Sequence, residues 1–161
     1  MAYRVRPATL DDLDVLVRHR IAMFTDMGVS VDEPALAAAF ARWLKANMPA
    51  GAYRAWLVES SDDSTISPVL VAGGGATIIP WPPGPQYPGE RLAFVYNVYT
   101  EPAHRKRGLG RLVMDAIHEW CRAHGVTSVA LNTSVDGRGL YESLGYAATP
   151  SPMMFLSLVG V

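Results

Sequence analysis

Between residues 105 and 111 the chain reads Arg-Lys-Arg-Gly-Leu-Gly-Arg, four cations and two glycines ahead of a strongly amphipathic stretch. A helix start carries backbone N–H groups without partners and a partial positive charge, so it attracts anions. Glycine at 108 and 110 lets the main chain come close to a bound group, while Arg105, Lys106, Arg107 and Arg111 supply charge for phosphate oxygens. The segment therefore predicts a phosphate cradle built on amides. Two common versions of such a cradle are excluded. No Lys-Ser or Lys-Thr pair closes a P-loop, and Val113 stands where a dinucleotide fingerprint begun at Gly108 needs glycine. The plain alternative is a helix that happens to begin with surface arginines.

The surrounding pattern says what must position this segment. A strand over residues 3–6 stops at Pro7, and Thr9 caps a helix carrying Leu13, Leu16, Val17, Ile21 and Phe24 at three- and four-residue steps. A second helix follows Asp32, with Leu36, Phe40, Trp43 and Leu44 along one face. Strands are expected over 55–59 and 69–79, joined by a polar turn at 60–64. Gly73, Gly74 and Gly75 mark either a bulge or close backbone approach within the second, or a loop between two shorter strands. The proline-rich run 80–89 reads as a stiff surface loop, packed on its own rings or covering a cleft. Then come a β-branched and aromatic strand over 92–100 and a helix from Gly108 to about residue 124, stopped by Gly125. A strand over 126–133, a short helix over 136–144 and a final strand over 153–158 complete the chain. This order implies one α/β sheet, mixed in direction, with helices on both faces.

Composition narrows the function. The 161 residues suit a single domain over 1–161, half of them are apolar, and the net charge of −1 gives no electrostatic reason to expect a nucleic-acid or membrane partner. No apolar run approaches ~18 residues, and the first residues lack a signal-peptide stretch. The lone cysteine, Cys121, suits a reducing compartment, so a cytoplasmic location is expected. His19, His104, His118 and His124 share no ligand spacing, so no metal site is expected.

The motif Arg105-x-x-Gly108-x-Gly110 resembles the acetyl-CoA motif of the GNAT superfamily, Gln/Arg-x-x-Gly-x-Gly/Ala. Leu140-Tyr141-Glu142-Ser143-Leu144-Gly145-Tyr146 is similar to that family's Leu-Tyr-Glu-x-Leu-Gly-Phe signature, and Val5-Arg6-Pro7-Ala8-Thr9-x-x-Asp12 to its opening strand and helix. The resemblance implies an α/β fold with a mixed, mostly antiparallel central sheet of six to seven strands and helices on both faces. It further implies an N-acetyltransferase that moves an acetyl group from acetyl-CoA (coenzyme A) to a primary amine by direct attack in a ternary complex. The acceptor would be a small molecule, an amino acid or a peptide α-amine. Carried over by resemblance, the backbone of Val98, Tyr99 and Thr100 would pair with the pantetheine arm. Arg105, Lys106, Arg107, Gly108, Leu109, Gly110 and Arg111 would hold the pyrophosphate, and Tyr141 would contact the coenzyme and protonate the departing thiolate. Ser134 stands where relatives carry an asparagine contacting pantetheine. Dimers are common among relatives, which leaves a homodimer open.

One part of the family's machinery is missing. Relatives often carry a glutamate in the fourth or fifth strand, but residues 92–99 and 129–133 contain neither carboxylate nor histidine. Tyr96 and Asn97 are the expected substrate-side residues there, with Thr133 and Glu90 as other candidates for moving a proton through water. Without a strong base the site suits an amine of modest pKa, or else the chain is a non-catalytic acyl-CoA-binding module.

Overall fold

The computed structural model describes residues 2–61 and 67–159, so most of the expected turn at 60–64 lies outside the described residues. Five strands form one sheet in chain order: β1 (Ala2–Pro7), β2 (Tyr53–Ser61), β3 (Val69–Pro80), β4 (Arg91–Thr100) and β5 (Val129–Leu131). The first three pairings are antiparallel, and β4 with β5 is parallel. The sheet is mixed and mostly antiparallel as expected, but it has five strands among the described residues, not six to seven. The expected strand over 153–158 is absent from it, and Met154, Phe155 and Leu158 lie exposed. The edge that β5 offers is only three residues long, and Pro150 and Pro152 remove donors just ahead of the segment.

Among the described residues four α-helices accompany the sheet: α1 (Leu13–Asp26), α2 (Glu33–Asn47), α3 (Leu109–Ala123) and α4 (Arg138–Ser143). Their ends follow from local chemistry. Thr9 and Asp12 form a reciprocal capping box ahead of α1, and Arg6 of β1 holds the Asp12 carboxylate at 2.9 Å through both terminal nitrogens. That pairing lowers the Asp12 pKa below its ordinary value, with a smaller contribution from the Thr9 amide. Asp32 caps α2 by accepting from the Ala35 amide at 3.1 Å. At the end of α3, Gly125 donates to Arg122 and Val126 to Cys121, the paired bonds of a Schellman motif. Val126 is thereby used by the helix cap, so the expected strand at 126–133 shrinks to β5.

The sheet separates two apolar layers. On one face α3 lays Leu109, Val113, Met114, Ile117 and Cys121 against Trp56, Val58, Val71, Ala76, Ala93 and Val95. On the other, Leu16 of α1 and Phe40 and Leu44 of α2 cover Tyr53, Ala55 and Leu57. Each buried aliphatic side chain contributes about 1.5–3 kcal/mol, so a charge at Ile117, which is fully buried, would undo the α3 layer. Trp43, expected in the core stripe of α2, is 37% exposed and stacks on Phe40 instead.

β3 runs unbroken through its three glycines, which rules out the loop reading. A Cβ at Gly75 would sit 2.1 Å from the Tyr53 hydroxyl, so the glycine makes room for that ring. The proline-rich segment closes on itself through reciprocal backbone bonds between Gly84 and Tyr87, with the Trp81 ring edge-on to Tyr87.

Candidate active site

The sheet opens at the middle of β4. β4 and β5 pair only over Ala93–Val95 and Val129–Leu131, and from Tyr96 to Thr100 the β4 backbone has no neighbour on its β5 side. The cause lies in the register with β3, where Gly75 faces Tyr96 and Gly73 faces Tyr99. Asn97 and Val98 therefore share the single partner Gly74, a bulge whose first residue, Asn97, is left-handed at φ 62°. Asparagine tolerates that conformation better than most side chains. The bulge turns β4 away from β5 and leaves the main-chain groups of Val98 and the amide of Thr100, which face that side, without a strand partner among the described residues.

The cradle lies a short turn further on. Gly108 is the N-cap of α3 with φ 76°, no side chain caps the helix, and Leu112 makes the first bond back, to Gly108. Leu109, Gly110 and Arg111 thus present amides with no acceptor inside the helix. Lys106 is also left-handed, at φ 60°. Alternation of left-handed residues points successive N–H groups toward one concavity. The four cations divide into different roles. Arg105 turns back to ion-pair with Asp26 of α1 and to bond the Thr100 carbonyl at 2.9 Å, so it braces the loop. Arg107 donates to the Tyr3 hydroxyl and Arg111 to Ser143, while Lys106 is exposed. Gly110 abuts α4: a Cβ there would come within 2.8 Å of Leu140.

Through Leu140, α4 brings Tyr141 beside the helix that carries the cradle. The family-like signature has a local explanation. Gly145, at φ 94°, ends α4; Tyr146 donates to the Tyr141 carbonyl, and the two rings meet edge-on at 5.8 Å. The Tyr141 hydroxyl has no hydrogen-bond partner among the described residues, and burial raises its pKa above the ordinary phenol value. Ser134 accepts from the Gly137 amide at 3.1 Å, which organises the turn into α4.

Below the bulge, on the α1–α2 side, stands a polar network that the sequence did not announce. Asn97 donates to the Tyr53 hydroxyl at 2.9 Å and accepts from Arg20 at 2.5 Å. Burial pushes the Tyr53 phenol up to about 12. Neighbouring His19 is buried against Tyr99, and its Nε2 lies 3.3 Å from Glu101 without the alignment of a hydrogen bond. Burial, with Arg18 adding to it and Glu101 opposing, lowers His19 to about 4, so it is neutral at pH 7. Glu101, the carboxylate just past β4, is ion-paired with Arg18. The other expected proton carriers are placed elsewhere or occupied. Glu90 precedes the far end of β4, and the Thr133 hydroxyl is bonded to Ser134. Tyr99 is turned away from the opening: its side chain faces His19, and its place opposite Gly73 directs its main-chain groups to β3.

The sequence matches the acetyltransferase (GNAT) family over residues 21–146. The chain belongs to the GNAT family. A GCN5-related N-acetyltransferase from Ralstonia eutropha JMP134 is 30% identical, with a TM-score of 0.81 over 96% of this chain and 99% of that one. A protein from Clostridium acetobutylicum, described as a predicted acetyltransferase and solved with acetyl-CoA, shares the fold at a TM-score of 0.80 and 20% identity, over 96% of each chain. Serotonin N-acetyltransferase 2, chloroplastic, of Oryza sativa subsp. japonica is 32% identical over 95 residues, 59% of this chain. The match spans 42% of that relative's length.

GNAT proteins use acetyl-CoA. The free β4 backbone and the uncapped start of α3 offer the two kinds of donor its amide-bearing arm and pyrophosphate require, so the residues present fit it. A cleft of ≈ 860 Å³ runs along β5, bordered by Tyr87, Leu131, Tyr141 and Tyr146, and residues 105–111 are not part of its lining. No helix among the described residues is long and apolar enough to cross a membrane.

Proposed function

We propose that this GNAT chain transfers an acetyl group from acetyl-CoA to a primary amine in a ternary complex. The observation that carries the reading is the adjacency of two unsatisfied backbone arrays, β4 past its bulge and the first turn of α3, joined by one short loop. In this reading the amides of residues 107–111 hold the pyrophosphate, with Lys106 adding charge. The backbone of Val98 and Thr100 aligns the pantetheine arm, the Thr100 carbonyl being already taken by Arg105 and Tyr99 being paired with Gly73 of β3. Acetyl-CoA bound there supplies an activated thioester. Tyr141, kept protonated by burial, donates its phenolic proton to the departing sulfur. Ser134 fixes the turn that presents α4. A cytoplasmic setting goes with this reading, since Cys121 is free and buried.

The acceptor is an amine of modest basicity. Freeing the lone pair of a lysine-like amine of pKa about 10.4 at pH 7 costs ~4.6 kcal/mol, against ~1.4 for an α-amine near pKa 8. Asn97, at the bulge, is an amide with both ends engaged, so nothing there supplies a strong base. Thiol release from acetyl-CoA across a panel of amines tests the proposal, with arylalkylamines included because of the rice relative's name. Turnover should favour amines with pKa near 8 and level off above that pH. A rate climbing to about pH 10 with preference for lysine-like amines would contradict it. The missing base also favours a second reading, a non-catalytic acyl-CoA-binding module; coenzyme binding with no amine consumed would select that one.

A further inference from the structure

We infer that Arg20 is an anchor for the acceptor, and that the amine this site takes carries a carboxylate gripped by the Arg20 guanidinium beside the β4 bulge. The inference rests on the acyl-transfer reading and names its substrate class. Arg4, Arg6, Arg18, Arg105 and Arg138 each have a carboxylate partner. Arg20 has none among the described residues, although it is half-buried. One terminal nitrogen donates to Asn97, its Nε is buried without any partner, and its guanidinium carbon lies 4.9 Å from the ring centres of both Phe24 and Phe40.

A cation held that way is electrostatically incomplete. Taking a guanidinium out of water is costly unless an opposite charge compensates, and a neutral amide oxygen with two aromatic faces does so only in part. Burial indeed works against its charge. The free N–H groups of an arginine fork match the two oxygens of a carboxylate.

Position makes the charge relevant to acceptor choice. Asn97 is the bulge residue where β4 leaves β5, so the guanidinium is one hydrogen bond from the opening assigned to the pantetheine arm. Tyr96, adjacent in the chain, is 37% exposed, so this stretch of β4 reaches the surface. A protonated amine alone would be repelled by Arg20, whereas an amino carboxylate brings the missing anion with it. The aromatic surroundings favour a singly charged carboxylate over a phosphate dianion, which is harder to desolvate.

The test compares amino carboxylates with their primary carboxamides by thiol release from acetyl-CoA, in the wild-type protein and in Arg20→Ala, each rate being taken per neutral amine because replacing the carboxylate lowers the amine pKa. The wild type should favour the carboxylate by about 10- to 100-fold in kcat/KM, and Arg20→Ala should collapse that ratio toward one while coenzyme affinity by calorimetry is retained. A second arm needs no turnover: N-acetylated amino carboxylates and their carboxamides are titrated into the coenzyme-loaded wild type and into coenzyme-loaded Arg20→Ala. Equal turnover or binding of carboxylate and carboxamide by the wild type overturns the inference and leaves the transferase reading standing. Carboxylate-selective, Arg20-dependent binding with no consumption of any amine supports the anion site and removes the transferase reading.

Discussion

On the α3 side of β4 the groups offered to a ligand belong to the main chain: amides of Leu109, Gly110 and Arg111, and unpaired backbone past the bulge. On the α1–α2 side they are side chains: Arg20, Asn97 and Tyr53, tied together through hydrogen bonds, with Tyr96 beside them. In the proposed reading the first region recognises what every coenzyme of this class shares, and needs only correct backbone geometry. The second sits under a half-buried charge and an array of rings, and its chemistry can change one residue at a time without disturbing the cradle. The contrast separates the constant part of the reaction from the part that selects a partner.

The comparison can be sharpened by substitutions. Removing the phenolic hydroxyl, Tyr141→Phe, should lower kcat by about 10²–10³-fold with little change in coenzyme Kd; steady-state kinetics beside calorimetry decides, and unchanged kcat would reduce Tyr141 to the ring packed on Tyr146. Gly108→Val attacks the cradle by conformation alone. No atom lies within 4 Å of a Cβ at that position, but φ 76° is forbidding for a branched side chain. Coenzyme affinity should fall about 50-fold, by calorimetry, with the far-UV spectrum retained.

On the other side, Gly75→Ala places a methyl on the Tyr53 hydroxyl and should cost roughly 2 kcal/mol in denaturant unfolding. Because Tyr53 bonds Asn97, the same variant should also raise acceptor KM. His19 gives a pH signature. Between pH 6.5 and about 4 the unfolded chain binds a proton that the folded chain refuses, so stability must fall as pH falls through that window. Denaturant midpoints measured from pH 7 to pH 4.5 should drop, and His19→Gln should flatten the decline. The smallest effect belongs to exposed Lys106→Ala: about 3-fold weaker coenzyme binding, vanishing at high salt.

The same contrast explains what could be read from the amino acids alone. The cradle, the caps at Thr9 and Asp32, and the α4 signature are built from residues within a few positions of each other, so spacing reveals them. Arg20, Tyr53 and Asn97 lie 77 and 44 positions apart along their hydrogen bonds. No local pattern records that meeting, and Arg20 reads as one more polar position on α1. The bulge was half visible: three glycines in β3 signalled close approach, but not that β4 would carry the extra residue. Arg105 was assigned to phosphate by its motif position, whereas its long side chain reaches Asp26. The sixth strand failed for a different reason. An apolar run names a candidate strand, but only an available edge makes it one.

Backbone amide NMR during titration with coenzyme A tests the central claim most directly. The cradle account predicts the largest shifts at Gly108, Leu109, Gly110 and Arg111, followed by Val98 and Thr100, with the α2 amides nearly still. Saturation that leaves residues 108–111 unmoved, or shifts confined to the β5 cleft around Leu131 and Tyr146, would contradict it.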